Sequence, residues 1–198
     1  MKLKFILLIL TIVAIVISYI GATEPFTWWL EAFPVFAGIL MLFIFRKFEF
    51  TDFVYIIIFI HFLILLLGAH YTYAKVPGVD WINKIFGRER NNYDKIGHFI
   101  QGFSPALIVR EILVRKNVIN GKKWLFFVVI SIVLAISAFY ELIEWQISLF
   151  SGEAGDNFLG TQGYIWDTQT DIFMALIGGL SALIFCSNIH DKLINLKK

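Results

Sequence analysis

The residues best suited to chemistry in this sequence are carboxylates and a histidine that recur at helical spacing within apolar stretches. Glu141 and Glu144 lie three positions apart, so they share one helix face. Two carboxylates at that spacing in an apolar setting repel each other and lose hydration, and something must compensate them. The compensating group can be a proton, a metal ion, or one of the basic residues Lys95, Arg88 and Arg90. Carboxylates with one or two histidines are ligands favoured by zinc, manganese and iron, so a divalent metal ion is one candidate cofactor.

Two further predicted helices carry polar residues at the same spacing. Asp94, His98 and Gln101 share one face, and Asp167 and Asp171 share another. If these faces turn inward with the glutamates, the helices enclose a polar cavity that opens to the outer side of the membrane. The predicted site comprises the metal ligands His98, Glu141, Glu144 and Asp171, the general bases or orienting residues Asp94 and Asp167, and the surrounding polar residues His70, Tyr73, Gln101 and Gln162.

Local helix capping is an alternative explanation for several of these residues. Asp167 is a good N-cap for the last predicted helix, and Thr168 followed by Asp171 has the spacing of a capping box. Asp94 could likewise cap the helix that it begins.

Other polar residues have simpler interpretations. His61 in an apolar run is most often a hydrogen-bonded packing residue, and Glu31 is expected close enough to the outer interface to reach water. Glu111 and Arg115 lie four positions apart, which predicts an ion pair within one helix. His70 falls on the opposite face of its helix from His61, so at most one of these histidines points into the cavity.

The composition is that of an integral membrane protein. Of the 198 residues, 59% are hydrophobic and 16% are charged, which excludes an ordinary water-soluble domain. The net charge of +2 is too small and too scattered for a nucleic-acid-binding protein. A single cysteine, Cys186, excludes an intramolecular disulfide and a cysteine-built zinc site.

Six stretches are long and apolar enough to cross a membrane, for which about 20 residues are needed. They predict an all-α, polytopic membrane helix bundle that forms one domain over residues 1–198, with spans at about 3–20, 28–45, 53–74, 93–114, 124–148 and 166–186. The fourth stretch is the most polar, so it is either shielded by the others or partly re-entrant. The first resembles a signal peptide, but Ile20 lies where a cleavage site needs a small residue, so we expect a retained anchor.

The distribution of basic residues predicts the orientation. With six spans, five of the 17 Lys and Arg residues fall on one side and twelve on the other. Short cytoplasmic loops are enriched in Lys and Arg, so we expect both termini in the cytoplasm of a protein in the cytoplasmic (inner) membrane. The glycine-rich segment 151–165 would then face outward, as a lid over the cavity or as a tight connector.

Four strings resemble the YjdF-like family of uncharacterised bacterial inner-membrane proteins. They are GAHYTYAKVP at 68–77, RNNYDKIGHFIQGFSPALIVREIL at 90–113, AFYELIEW at 138–145 and DNFLGTQGYIWDTQTD at 156–171. The resemblance implies a small multi-span protein of the cytoplasmic membrane and supplies no reaction. Tyr164 stands where the family often has aspartate. A looser similarity, limited to Asp94, Lys95, His98 and Phe99 and a later Glu and Asp, is to the VanZ-like membrane proteins.

Three functions are compatible with these features. The first is metal-assisted hydrolysis or group transfer on a lipid or envelope-linked substrate. The second is a proton- or ion-coupled transporter that uses the glutamate pair as a relay. The third is a noncatalytic envelope assembly protein whose polar residues join helices. The bilayer is the expected partner, nucleic acid is not, and neither a substrate nor an oligomeric state follows from the sequence.

Overall fold

The protein consists of six long helices in the computed structural model, which describes residues 2–79, 81, 84, 90–151 and 162–197. The helices are α1 (Lys2–Tyr19), α2 (Pro25–Ile44), α3 (Asp52–Tyr71), α4 (Tyr93–Arg115), α5 (Lys122–Ser151) and α6 (Asp167–Lys197). A short 3₁₀ turn, Tyr73–Lys75, follows α3. No β-strand occurs in the described residues, which confirms the predicted all-α fold class.

Four of the helices, α2, α3, α5 and α6, are long and apolar enough to cross a membrane. The apolar part of α1, Leu3–Tyr19, is shorter. The helix α4 has 23 residues and is about 34 Å long, but it is not among the helices that are apolar enough to cross a membrane. It is one continuous helix that includes Pro105.

The most extensive helix contact joins α4 to α6. A Cβ atom at Gly102 of α4 would lie 1.8 Å from the carbonyl oxygen of Ala175, and one at Gly178 of α6 would lie 1.9 Å from that of Phe99. Only glycine fits at either position, because the backbones of the two helices are in direct contact. This crossing sets the first turns of α6 beside the first half of α4.

The helix α3 connects α1 and α2 to the rest of the bundle, since it packs against both of them and against α4. The Ser18 hydroxyl of α1 donates a hydrogen bond to the Leu66 carbonyl at 2.6 Å and accepts one from Trp28 Nε1 at 2.9 Å. His70 Nδ1 lies 2.9 Å from the Ser18 carbonyl oxygen. The last turn of α1, the start of α2 and the end of α3 are therefore tied together.

At the opposite end of the bundle, the buried Glu111 carboxylate joins three helices. It accepts hydrogen bonds from the Thr51 backbone N–H at 2.8 Å and the Thr51 hydroxyl at 2.7 Å, and it lies 3.0 Å from His190 Nε2. The predicted ion pair with Arg115 is present at 2.9 Å. Both carboxylate oxygens are thus engaged, so the Glu111 carboxylate joins the helices without an unpaired oxygen.

Replacing Gly178 with alanine should lower the free energy of unfolding by at least ~1–3 kcal/mol, the usual cost of overpacking a core. The added methyl group would collide with the backbone oxygen of Phe99, so α4 and α6 would have to separate. The thermal unfolding midpoint in detergent measures the effect.

Gly179→Ala is the matched control for that substitution. Its methyl group would meet the side chains of Val133 and Ile130 at 3.2 and 3.3 Å, and these can rotate away. Equal losses of stability in the two variants would contradict the direct backbone contact.

Candidate metal centre

Three of the predicted ligands, His98, Glu141 and Asp171, come together where α4, α5 and α6 meet. His98 Nδ1 lies 3.6 Å from Glu141 Oε1, and His98 Nε2 lies 3.8 Å from Asp171 Oδ1. One ligand atom from each residue can be chosen so that all three lie within 4.8 Å of one another. All three side chains are buried, with 7%, 7% and 3% of their residue surface exposed, respectively. Within the described part of the chain, His98 Nδ1 and Glu141 Oε1 have no hydrogen-bond partner. The donor set and its burial fit a small cation.

Two basic residues border this group and neutralise the aspartates around it. Lys95 Nζ lies 2.6 Å from Asp171 Oδ1, 2.7 Å from Asp167 Oδ1 and 3.4 Å from Asp94 Oδ2. Arg90 binds Asp167 at 2.7 Å and Asp94 at 2.5 Å. These interhelical ion pairs give Asp167 and Asp171 a role beyond local capping, because they join the starts of α4 and α6.

A cavity of about 190 Å³ is lined by two of the three ligands, His98 and Asp171. Residues of α2, α3, α4, α5 and α6 line it, so it lies inside the bundle. Its polar lining residues are Glu31, His61, Tyr73, Asp94, His98, Gln101, Tyr140, Glu144 and Asp171, and its apolar ones include Pro34, Leu65, Pro105 and Ile136. Carboxyl groups outnumber the nearby cations, and the balance must be met by protons or by a bound cation.

The structure separates the other predicted site residues into two sets. Glu144, Tyr73 and Gln101 line the cavity, although Glu144 is not one of the three grouped ligands. His70 and Gln162 lie elsewhere. His70 faces α1 from the other side of its helix, and Gln162 exchanges hydrogen bonds with the Asn91 backbone at 3.0 and 2.9 Å.

Two residues that sequence reasoning assigned to other roles belong to this cavity. Glu31 was expected to reach water, but only 3% of its surface is exposed and its Oε1 accepts a hydrogen bond from the Tyr73 backbone at 3.2 Å. The 3₁₀ turn after α3 covers it. His61 lines the cavity as well. The spacing could have revealed Glu31, since it shares a helix face with the buried Trp28 and Val35.

The expected lid, segment 151–165, lies mostly outside the described residues, which omit 152–161. Arg88, one of the basic residues considered as a partner of the glutamates, also lies outside them.

The fold and the cluster define an all-helical membrane protein with a buried acidic and histidine site. A family model described as "Predicted membrane protein (DUF2238)" matches residues 3–192, and the chain belongs to this family. Inner membrane protein YjdF of Escherichia coli (strain K12) is 48% identical over 172 residues, which cover 86% of this chain and 82% of that protein. The resemblance to the YjdF-like family is thereby confirmed. No solved structure matches. These comparisons do not show the looser similarity to VanZ-like proteins.

Lys95→Met should destabilise the bundle by ~3–5 kcal/mol, because it leaves Asp167 and Asp171 buried with one cation fewer. Thermal unfolding in detergent would measure this loss. Lys75→Met is the matched control. Lys75 forms an exposed ion pair with Glu24, so its removal should cost ~0–1 kcal/mol. A Lys95 variant as stable as the control would contradict the bridging role.

Proposed function

We propose that this protein binds one divalent transition metal ion through His98, Glu141 and Asp171 and uses it for hydrolysis or group transfer on a lipid or envelope-linked substrate. The observation that carries the proposal is the pair of unpartnered buried atoms, His98 Nδ1 and Glu141 Oε1, which face each other at 3.6 Å. Buried polar atoms are rarely left without a partner. Ligands about 2.0–2.2 Å from a tetrahedral zinc ion are about 3.4 Å apart, close to this separation.

The metal would polarise the substrate and lower the pKa of a bound water. Hydrolysis would form a bond from a water oxygen to the ester or phosphoryl centre and break the bond to the leaving oxygen, which would take up the proton that the water gives up. Glu144, which lines the cavity outside the three ligands, is the group available to accept the proton from the water.

The surrounding ion pairs support a positioning role for Asp94 and Asp167. Both carboxylates are bound to Arg90 and to Lys95, so neither is the best candidate for a general base. Lys95 also contacts the ligand Asp171 at 2.6 Å and would fix its orientation.

The walls of the cavity favour a substrate that is partly apolar. Pro34, Leu65, Pro105 and Ile136 line it beside the carboxylates. The volume of about 190 Å³ accommodates only the reacting end of a lipid-sized molecule. The remainder of such a substrate would stay in the bilayer.

The wild-type protein, purified in detergent and dialysed against a weak chelator, should retain about one transition metal ion per chain by elemental analysis. His98→Ala and Glu141→Gln should each lower the metal affinity by more than ~100-fold. Even the loss of a residue that only hydrogen-bonds to a metal ligand typically lowers metal affinity by about 10–100-fold.

His70→Ala is the matched control, because His70 binds the end of α1 and not the cavity. It should retain the full metal content. A wild-type protein without metal, or His98 and Glu141 variants that keep it, would contradict the metal site.

A proton- or ion-coupled transporter is the second candidate. It is favoured by two buried carboxylates in the same cavity outside the three ligands, Glu31 and Glu144. Glu31 Oε2 has no hydrogen-bond partner within the described residues. A wild-type protein without metal, together with loss of cellular function in Glu144→Gln, would favour a proton or ion relay through these carboxylates. A full cellular function in Glu141→Gln/Glu144→Gln would favour a noncatalytic assembly role.

We further propose that the protein lies in the inner membrane with both termini in the cytoplasm, as the basic-residue bias and the name of the YjdF relative suggest. A fluorescent protein fused to the C-terminus should fluoresce. Alkaline phosphatase inserted after Gly78, an exposed turn position, should be active. The opposite pattern of reporter activities would reverse the proposed orientation.

A further inference from the structure

A second, separate cavity of about 500 Å³ lies between α1, α2 and α3. Its volume falls within the roughly 300–1,000 Å³ typical of small-molecule sites. The walls are almost wholly apolar and include Phe5 and Leu8 of α1, Leu42 of α2 and Phe59 of α3. None of the residues that line it belongs to the candidate metal centre.

This second cavity is a V-shaped groove, because α1 and α2 meet at one end only. There the Trp28 indole donates a hydrogen bond to the Ser18 hydroxyl, and the Tyr19 and Trp28 rings pack edge to face at 4.9 Å. Both helices pack against α3 along the groove, whereas α1 and α2 are not an extensively packed pair. The groove is therefore floored by α3 and widens toward the start of α1.

Two basic residues, Lys4 and Arg46, line the groove at its wide end. Lys4 forms an ion pair with Glu49 at 2.5 Å, in which 25% and 53% of the respective side chains are exposed. Exposed ion pairs of this kind are weak, so another anion can replace Glu49. Arg46 is exposed and lies over the Phe43 ring at 4.7 Å. The exposed Lys47 adds a third positive charge at this end.

We propose that this groove binds an anionic phospholipid, with one acyl chain along the apolar walls and the headgroup phosphate at Lys4 and Arg46. An apolar slot that widens between transmembrane helices and ends at two cations matches the two parts of such a lipid. Basic pockets between transmembrane helices are sites of this type. A zwitterionic lipid would match the walls equally well and the cationic end less well.

Native mass spectrometry of the full-length protein in a neutral detergent tests the proposal. Phosphatidylglycerol and phosphatidylethanolamine with identical acyl chains are titrated separately. We expect the wild type to retain phosphatidylglycerol preferentially. Lys4→Ala/Arg46→Ala should reduce its binding by about fivefold for each basic residue removed. Glu49→Gln should strengthen it, because the Lys4 ammonium is released from its ion pair.

Lys122→Ala/Lys123→Ala is the matched control, with the same change of charge at exposed positions that begin α5. It should bind phosphatidylglycerol like the wild type. Leu8→Trp, which fills the groove without changing charge, should weaken binding of both lipids, and its thermal unfolding midpoint verifies folding.

Three results would overturn the proposal. They are equal binding of the two lipids by the wild type, equal losses of phosphatidylglycerol binding in Lys4→Ala/Arg46→Ala and Lys122→Ala/Lys123→Ala, and lipid binding that Leu8→Trp leaves unchanged. Competition by glycerol phosphate alone, at the concentrations used for the lipid, would likewise show a free phosphate site in place of a lipid site.

Discussion

The Lys95 ammonium holds together the part of the molecule on which the candidate site depends. Only 3% of this residue is exposed, and its charge contacts aspartates at the start of both α4 and α6. An ammonium buried without such partners would be far too costly, so the three aspartates and Arg90 form one unit with it. The close backbone crossing at Gly102 and Gly178 brings the starts of α4 and α6 near enough for Lys95 to contact the aspartates of both helices. The ion pairs and the glycine crossing are therefore both needed to hold α4 and α6 together at this end.

The two ends of the bundle differ in how their buried charges are balanced. Around Glu111, every carboxylate oxygen is engaged by Thr51, Arg115 or His190. Around His98, the cations are already shared among the aspartates, and Glu141 faces the imidazole without a hydrogen bond to Oε1. The carboxylate at Glu111 is fully paired, although His190 Nδ1 beside it has no hydrogen-bond partner within the described residues, whereas at Glu141 a carboxylate oxygen itself has capacity for a ligand or a proton.

Helical spacing in the sequence predicted much of this arrangement. The faces formed by Asp94 and His98, by Glu141 and Glu144, and by Asp167 and Asp171 do turn toward a common interior. Spacing could not assign partners, because the pairing of Lys95 with two residues more than 70 positions away depends on helix crossing. The position of Glu31 near the end of a predicted span led to the wrong expectation that it reaches water, because that position does not reveal the turn at Tyr73 that folds over the carboxylate. The burial of α4 explains why a polar sequence forms a continuous helix here.

Burial within the bundle restricts what the His98 cluster can bind. The cavity beside the carboxylates is small, at about 190 Å³, and the apolar Leu65 and Ile136 side chains form part of its wall. In such a setting each electrostatic contact is stronger than in bulk water, and each unpaired charge is more costly. A divalent cation would reduce that cost for His98, Glu141 and Asp171 at once, and so would a proton on His98, whose Nδ1 and Nε2 lie 3.6 and 3.8 Å from Glu141 and Asp171. A single small ion, either a metal ion or the proton of a charged His98, can therefore serve all three groups.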